Sequence, residues 1–207
     1  SLQTGTVFLA VSEGALRCVL LPVLEAFRSR YPGVRLRVSN HSTPQAIAAL
    51  RETTADFAVV TTPVLHAAAF QQTDIRQIQE VAVCAPRFHD LLDHAVTLKE
   101  LRSHPLITLG ADTQSYAFYS DFFTGHSLPF HPAIEAFTAD QILPMVESGL
   151  GVGIVPRDFI RSSDHVCVID LANPLPPRSV CLVKRKDQPL SVAAKELEHM
   201  ILEQRGR

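Results

Sequence analysis

Three hydroxyl side chains, Ser12, Thr43 and Thr138, stand where an apolar run gives way to a helix-starting pattern. A hydroxyl in that position accepts from the free amides of the first helical turn, which capping alone explains. Three of them at comparable switches point further, because hydroxyls beside spare amides favour an anion, most simply a carboxylate or a phosphate. Nucleophilic chemistry does not fit Ser12: it sits in Val11-Ser12-Glu13-Gly14, without the glycine two residues earlier that a nucleophile elbow requires. None of the nine histidines can be assigned to it. The pairs His89/His94 and His126/His131 are spaced by five, off one helical face, with no matching cysteine or acidic pair for a metal. Gly149, Gly151 and Gly153 precede a strand instead of following one, so the dinucleotide fingerprint is not met. An acid or base near a switch point is limited to Glu13 and Asp140, and Asp140 is explained as a first-turn charge facing the helix dipole. Neither a metal nor a cofactor is expected, and the chain is not read as an enzyme.

The elements that position these residues are clearest from Phe137 to Pro156. Thr138 with Gln141 has the form of a capping box; Ile142, Met145 and Val146 then recur at helical spacing. Gly149 is the left-handed stop, and Gly151 and Gly153 let backbone pass close to something before the buried strand Val152, Ile154 and Val155. Earlier, a strand from Thr6 to Val11 leads to a helix with Leu16, Val19, Leu20, Val23, Leu24 and Phe27 on one face, which Pro22 should kink. Val34 to Ser39 alternates as a strand with one wet face. Thr43-Pro44 reads as an N-cap followed by proline at the first helical position, and Phe57 to Val60 as a short buried strand. After a looser region from Val64 to Thr73, Ile75 to Cys84 reads as one long strand, able to pass between lobes. Thr97 with Glu100 opens a short helix; Leu106 to Leu109 is a strand; Ser115 to Phe123 is an aromatic-rich helix whose rings are read as core. Strands Ala133 to Phe137, Val166 to Leu171 and Arg178 to Val183 follow, and Ser191 caps a closing helix bearing Leu197, Met200 and Ile201.

Alternating strand and helix predict an α/β protein with parallel sheets. Two strand-helix-strand sets fit two lobes joined by two crossover strands: residues 1–74 with 178–207, discontinuous in sequence, and residues 75–177. At 207 residues, 46% hydrophobic and 19% charged, the chain can build a real core. A net charge of -2 gives this piece no electrostatic reason to hold nucleic acid, and Lys184-Arg185-Lys186 reads as a solvated strand end. Cys18, Cys84, Cys167 and Cys181 form no Cys-x-x-Cys pair, and free thiols in a reducing cytoplasm are expected. No secretory leader or membrane span is apparent. Ser1 to Thr6 reads as a linker, so the chain is expected to be a fragment.

Taken together, several stretches resemble one family. Ser12 after a strand, then Leu21-Pro22-Val23-Leu24-Glu25-Ala26-Phe27-Arg28-Ser29-Arg30-Tyr31-Pro32-Gly33-Val34, is similar to the opening of the effector-binding domain of LysR-type transcriptional regulators. There the pattern is a leucine-proline pair, an aromatic-Arg pair and a Tyr-Pro-x-Val turn. Ala55 to Val60 resembles the family's third strand, and Val146 to Pro156 its glycine-rich approach to a later one. The resemblance implies two periplasmic-binding-protein-like lobes with an inducer cleft. It also implies a small-molecule effector, often an acid, a homodimer or higher homo-oligomer, and DNA contact only through a winged helix-turn-helix domain preceding Ser1.

Carried over residue by residue, the family's ligand contacts fall on Ser12, on Ser42 and Thr43, on Thr61, on Thr108 to Gly110, and on Phe137 and Thr138. Thr61, where relatives that bind diacids often carry a larger polar or basic residue, argues against a dicarboxylate. Glu13 adds negative charge beside Ser12, which favours a ligand with an amine or hydroxyl. The expected function is therefore effector sensing for a cytoplasmic transcription factor, the effector being an organic acid or an amino-acid-like metabolite. The alternative is a solute-binding protein serving a transporter, which shares the lobes but needs a secretory leader.

Overall fold

The computed structural model describes residues 4–65 and 68–207. The chain divides into two compact units, Ser1–Gln77 with Arg178–Arg207, and Ile78–Pro177. Among the described residues no helix is long and apolar enough to cross a membrane.

The first unit is built on a five-stranded sheet in the order β2-β1-β3-β10-β4. Its strands are β1 (Gly5–Val11), β2 (Val34–Asn40), β3 (Phe57–Thr61), β4 (Phe70–Ile78) and β10 (Arg178–Arg185). β1 runs parallel to β2 and β3, with Val11 opposite both Asn40 and Val59, while β10 runs antiparallel to β3. Helix α3 (Thr43–Arg51) lays Ala46, Ile47, Ala49 and Leu50 against Ala10, Ala58, Val60, Cys181 and Val183. Val7, Leu9 and Val11 project to the other sheet face by the two-residue period and are fully buried. Along β1 lies α7 (Val192–Leu202), which also meets α2 (Leu21–Arg30). As expected, α7 is capped by Ser191, whose Oγ accepts from Ala194 N at 3.2 Å.

At Pro22 the helix is locally rewound. The helix starts as α1 (Glu13–Ala15), passes through one π-helical turn, Leu16–Leu20, and continues as α2. Proline has no N–H to give the carbonyl four residues earlier, and that carbonyl, of Cys18, accepts from Arg76 Nη1 at 3.0 Å. A side chain from β4 thus bonds the carbonyl left without its usual i+4 donor.

The second unit holds a sheet in the order β7-β6-β8-β5-β9. Its strands are β5 (Glu80–Cys84), β6 (Leu106–Leu109), β7 (Ile134–Ala136), β8 (Val152–Pro156) and β9 (Cys167–Val168). β6 is parallel to β7 and β8, and β5 is antiparallel to β8 and β9. Helix α4 (Leu98–Leu101) starts at the expected capping box: Thr97 N donates to Glu100 Oε2 at 2.7 Å and Glu100 N to Thr97 Oγ1 at 3.2 Å. Helix α5 (Gln114–Gly125) carries the aromatic residues, and these are core: Tyr119 and Phe123 are buried, with Tyr116, Phe118 and Phe122 packed around them. Tyr119 OH donates to the buried Glu80 Oε2 at 3.0 Å.

Two expected strands take a different form. The single strand from Ile75 to Cys84 is two, β4 and β5, interrupted at Gln79. Gln79 is where the chain passes from the first sheet to the second; its carbonyl accepts from Arg157 N at 2.8 Å, one step beyond the Glu80–Pro156 pair, and its Nε2 donates to Leu175 O at 3.0 Å. β4 also begins at Phe70, inside the stretch expected to be loose. The strand expected from Val166 to Leu171 shortens to β9, with one isolated bridge between Leu171 and Val96.

Candidate functional site

In the first unit, register brings three strand ends to one sheet edge. With Val11 level with Asn40 and Val59, the residues just beyond, Ser12, Ser42, Thr43 and Thr61, gather there. Ser12 N donates to Val59 O at 3.1 Å and His41 N to Val11 O at 2.8 Å, which extends the pairing past the strands. Ser12 caps α1, its Oγ accepting from Ala15 N at 3.2 Å.

The cap expected at Thr43 is Ser42 instead. Ser42 Oγ accepts from Gln45 N at 3.4 Å, and Gln45 Oε1 accepts from Ser42 N at 3.0 Å. Thr43 is thereby freed for a tertiary bond: its Oγ1 donates to Thr61 O at 2.9 Å, both residues buried. Glu13, half-buried at the helix start, lies 3.8 Å from Arg17 Nη1, so its negative charge has a cation one turn on.

Arg178, at the start of β10, is a residue that sequence reasoning missed. Its side chain is 3% exposed; Nε donates to Thr62 O at 2.7 Å and Nη2 to Thr61 Oγ1 at 3.5 Å. Because β10 runs antiparallel to β3, with Val180 opposite Thr61, its first residue reaches the carboxyl end of β3. An arginine at the head of an apolar strand is ordinarily solvated, and only the register reveals otherwise. Among the described residues the buried polar or charged side chains are Ser12, Thr43, Thr61, Glu80, Thr108 and Arg178. Four of these six converge on this one edge. An open groove of about 440 Å³ in the same unit, lined by Phe8, Ala10, Arg37, Ser39, His41 and Thr54 among others, includes none of them.

In the second unit the same logic applies to β6 and β7. Leu109 is opposite Ala136, so Gly110 and Phe137 follow side by side. Phe137 is 98% exposed and Thr138 is exposed, whereas Thr108 is buried, its Oγ1 donating to Leu109 O at 3.1 Å. At Gly110 an added Cβ would lie 3.0 Å from Asp112 Oδ1, and its carbonyl accepts from Thr113 Oγ1 at 2.8 Å. Gln141 Oε1 reaches back to accept from Phe137 N at 3.0 Å and Thr138 N at 3.4 Å, the expected return half of the box. Thr138 Oγ1 donates to Asp140 Oδ1. A short 3-10 turn, Ala139–Gln141, precedes α6 (Ile142–Glu147), so this helix start is tighter than expected.

The glycines behind this edge behave as their spacing predicts. Gly149 has φ +79°, and a Cβ at Gly151 would stand 2.2 Å from Pro105 O. A Cβ at Gly153 would meet Val146 and Ile142 at 2.8 and 2.9 Å.

Two α/β units with polar strand ends define a class of small-molecule-binding folds. Comparison with known proteins specifies it: residues 1–206 match the LysR substrate binding domain, and the chain belongs to that family. It is 29% identical over 184 residues to the uncharacterized HTH-type transcriptional regulator YwbI of Bacillus subtilis, covering 86% of this chain and 60% of that protein. Over 162 residues it is 30% identical to the HTH-type transcriptional regulator CysB of Burkholderia cenocepacia, covering 73% and 48%. The chain thus spans about half to three fifths of the length of the curated relatives it matches. Among solved structures, the CcmR regulatory domain of Synechocystis PCC6803 in complex with 2-PG superposes with TM-score 0.86 at 15% identity, covering 97% of each chain. The effector binding domain of QuiR in complex with shikimate does so with TM-score 0.84 at 16% identity, again covering 97% of each. At such identities the likeness establishes the fold. The transporter-linked alternative is not supported by these matches.

Proposed function

We propose that this chain is the effector-sensing part of a cytoplasmic transcription factor. It binds an organic acid or an amino-acid-like metabolite, assembles as a homodimer or higher homo-oligomer, and acts on DNA through a domain outside these residues. The observation that carries the reading is the convergence of Ser12, Thr43, Thr61 and Arg178, all buried, on the carboxyl edge of the first unit's sheet. Folding tolerates buried polar groups where they are satisfied or used. Here they combine hydroxyls, a helix start and a guanidinium, a set suited to an anionic group. The further contacts assigned to the effector are Glu13 and Ser42 in this unit, and Thr108, Gly110, Phe137 and Thr138 in the other. Binding shifts the population of conformers, which is how a ligand acts on a distant domain. Every assigned role is binding, and none requires bond chemistry.

Thermal denaturation against a panel of small carboxylates and amino acids tests the proposal. A ligand at a hundred times its Kd adds about 2.7 kcal/mol, which raises the midpoint of a chain this size by roughly 5 to 10 °C. Ser12→Ala and Thr138→Val, in separate units, should each cut that response. Absence of stabilisation by every class in the panel counts against effector binding. Stabilisation that neither variant alters counts against these residues. Sedimentation of the chain at several concentrations checks self-association, a monomer throughout being the contrary result.

A further inference from the structure

Cys84 on β5 and Cys167 on β9 stand directly opposite each other in the antiparallel ladder of the second unit. Opposed residues on a pleated pair project to the same face, and both cysteines pack into the apolar cluster that holds Ala82 and Ile169. Ile169 N donates to Ala82 O at 2.9 Å. By alternation the cysteines, two residues along, form another pair of the wider, hydrogen-bonded kind. Cα atoms in such pairs lie about 5.5 Å apart, within the span of roughly 4.4–6.8 Å that a disulfide bridges. Both thiols are free; Cys84 is buried and Cys167 partly exposed.

We propose that Cys84 and Cys167 form a reversible dithiol–disulfide site that responds to small hydroperoxides. The Cys167 thiolate, the one solvent reaches, attacks the O–O bond. An S–O bond forms, the O–O bond breaks, and the departing oxygen takes a proton to leave as water or an alcohol. The Cys84 sulfur then attacks the Cys167 sulfenic sulfur; an S–S bond forms, the S–O bond breaks, and water leaves with the Cys84 proton. The two thiols lose two electrons and the peroxide gains them. Burial pushes the Cys84 thiol up to about 11, with Cys167 and Asp90 adding to the effect, so Cys84 is not the first nucleophile. β9 is a two-residue strand at the sheet edge, so the bond ties that edge to β5.

The test is peroxide treatment of the chain, digestion without reduction, peptide mapping, and thiol titration in denaturant. The thiol count should fall from four to two, with the Cys84–Cys167 peptide the dominant cross-link, and dithiothreitol should restore four. Cys84→Ala should abolish the cross-link and let Cys167 run on to the sulfinic acid. A count that stays at four, a Cys167 sulfinic acid in the unaltered chain without the bridge, or a bridge to Cys18 or Cys181 overturns the proposal. The mapping of the unaltered chain decides the matter whether or not the variant folds.

Discussion

At the scale of single residues, polar side chains here are held by partners far away in sequence. The Thr43 hydroxyl bonds a carbonyl 18 positions on, and Arg178 reaches Thr61 across 117. A more local group, around Glu100, makes stability depend on pH. Bonds from Thr97, first the backbone N–H and then the hydroxyl, together with His94 hold the Glu100 carboxyl at about 2, below its ordinary 4.5. A depressed carboxylate contributes stability that is complete above its unfolded value and lost as pH falls through the folded one. His94 is raised from 6.5, first by Asp93 and then by Glu100. Its contribution is complete below 6.5 and fades as pH rises through the raised value. Glu100→Gln should therefore be less stable than the parent near neutral pH, with the gap closing between about pH 4.5 and 2 in urea titrations. A gap that stays constant down to pH 2 would show that the carboxylate is not the group responsible.

At the scale of elements, glycine position matters more than glycine content. Gly151 lets β8 approach Pro105, whose carbonyl accepts from Val152 N at 2.8 Å. A methyl there collides with that same carbonyl at 2.2 Å, so Gly151→Ala should cost about 3 kcal/mol. Gly125, at the end of α5, has nothing within 4 Å of an added Cβ, and Gly125→Ala should gain about 0.5 to 1 kcal/mol. Urea midpoints of the two variants check this pair, and equal shifts would contradict it. Gly149 and Gly151 were legible beforehand because a helix stop and a close strand approach are local demands. The Thr97–Glu100 and Ser191 caps were legible for the same reason. The choice between Ser42 and Thr43 as cap was not, since both are good caps and the bond from Thr43 to Thr61 decides it. Nor was the break at Gln79, where the chain leaves one sheet for the other. The candidate site was legible as hydroxyls at strand ends; its guanidinium was not, because only the antiparallel register of β10 carries Arg178 there.

At the scale of the whole chain, the two units differ in how they are threaded. The second is one continuous run, Ile78–Pro177, whereas the first joins Ser1–Gln77 to Arg178–Arg207. In the first sheet β10 lies between β3 and β4, so its late-coming residues occupy an interior place. On a ribosome, residues 1–77 must wait while residues 78–177 emerge, for their sheet lacks an inner strand until residues 178–207 appear. A nascent chain stopped at Pro177 should show slow amide exchange across 78–177 and fast exchange across 4–77, and uniform protection in both would refute this order. The edge proposed to meet the effector, with Arg178 at the head of β10, is then assembled only after both flanking stretches of this chain have emerged, so a product ending before β10 lacks its guanidinium.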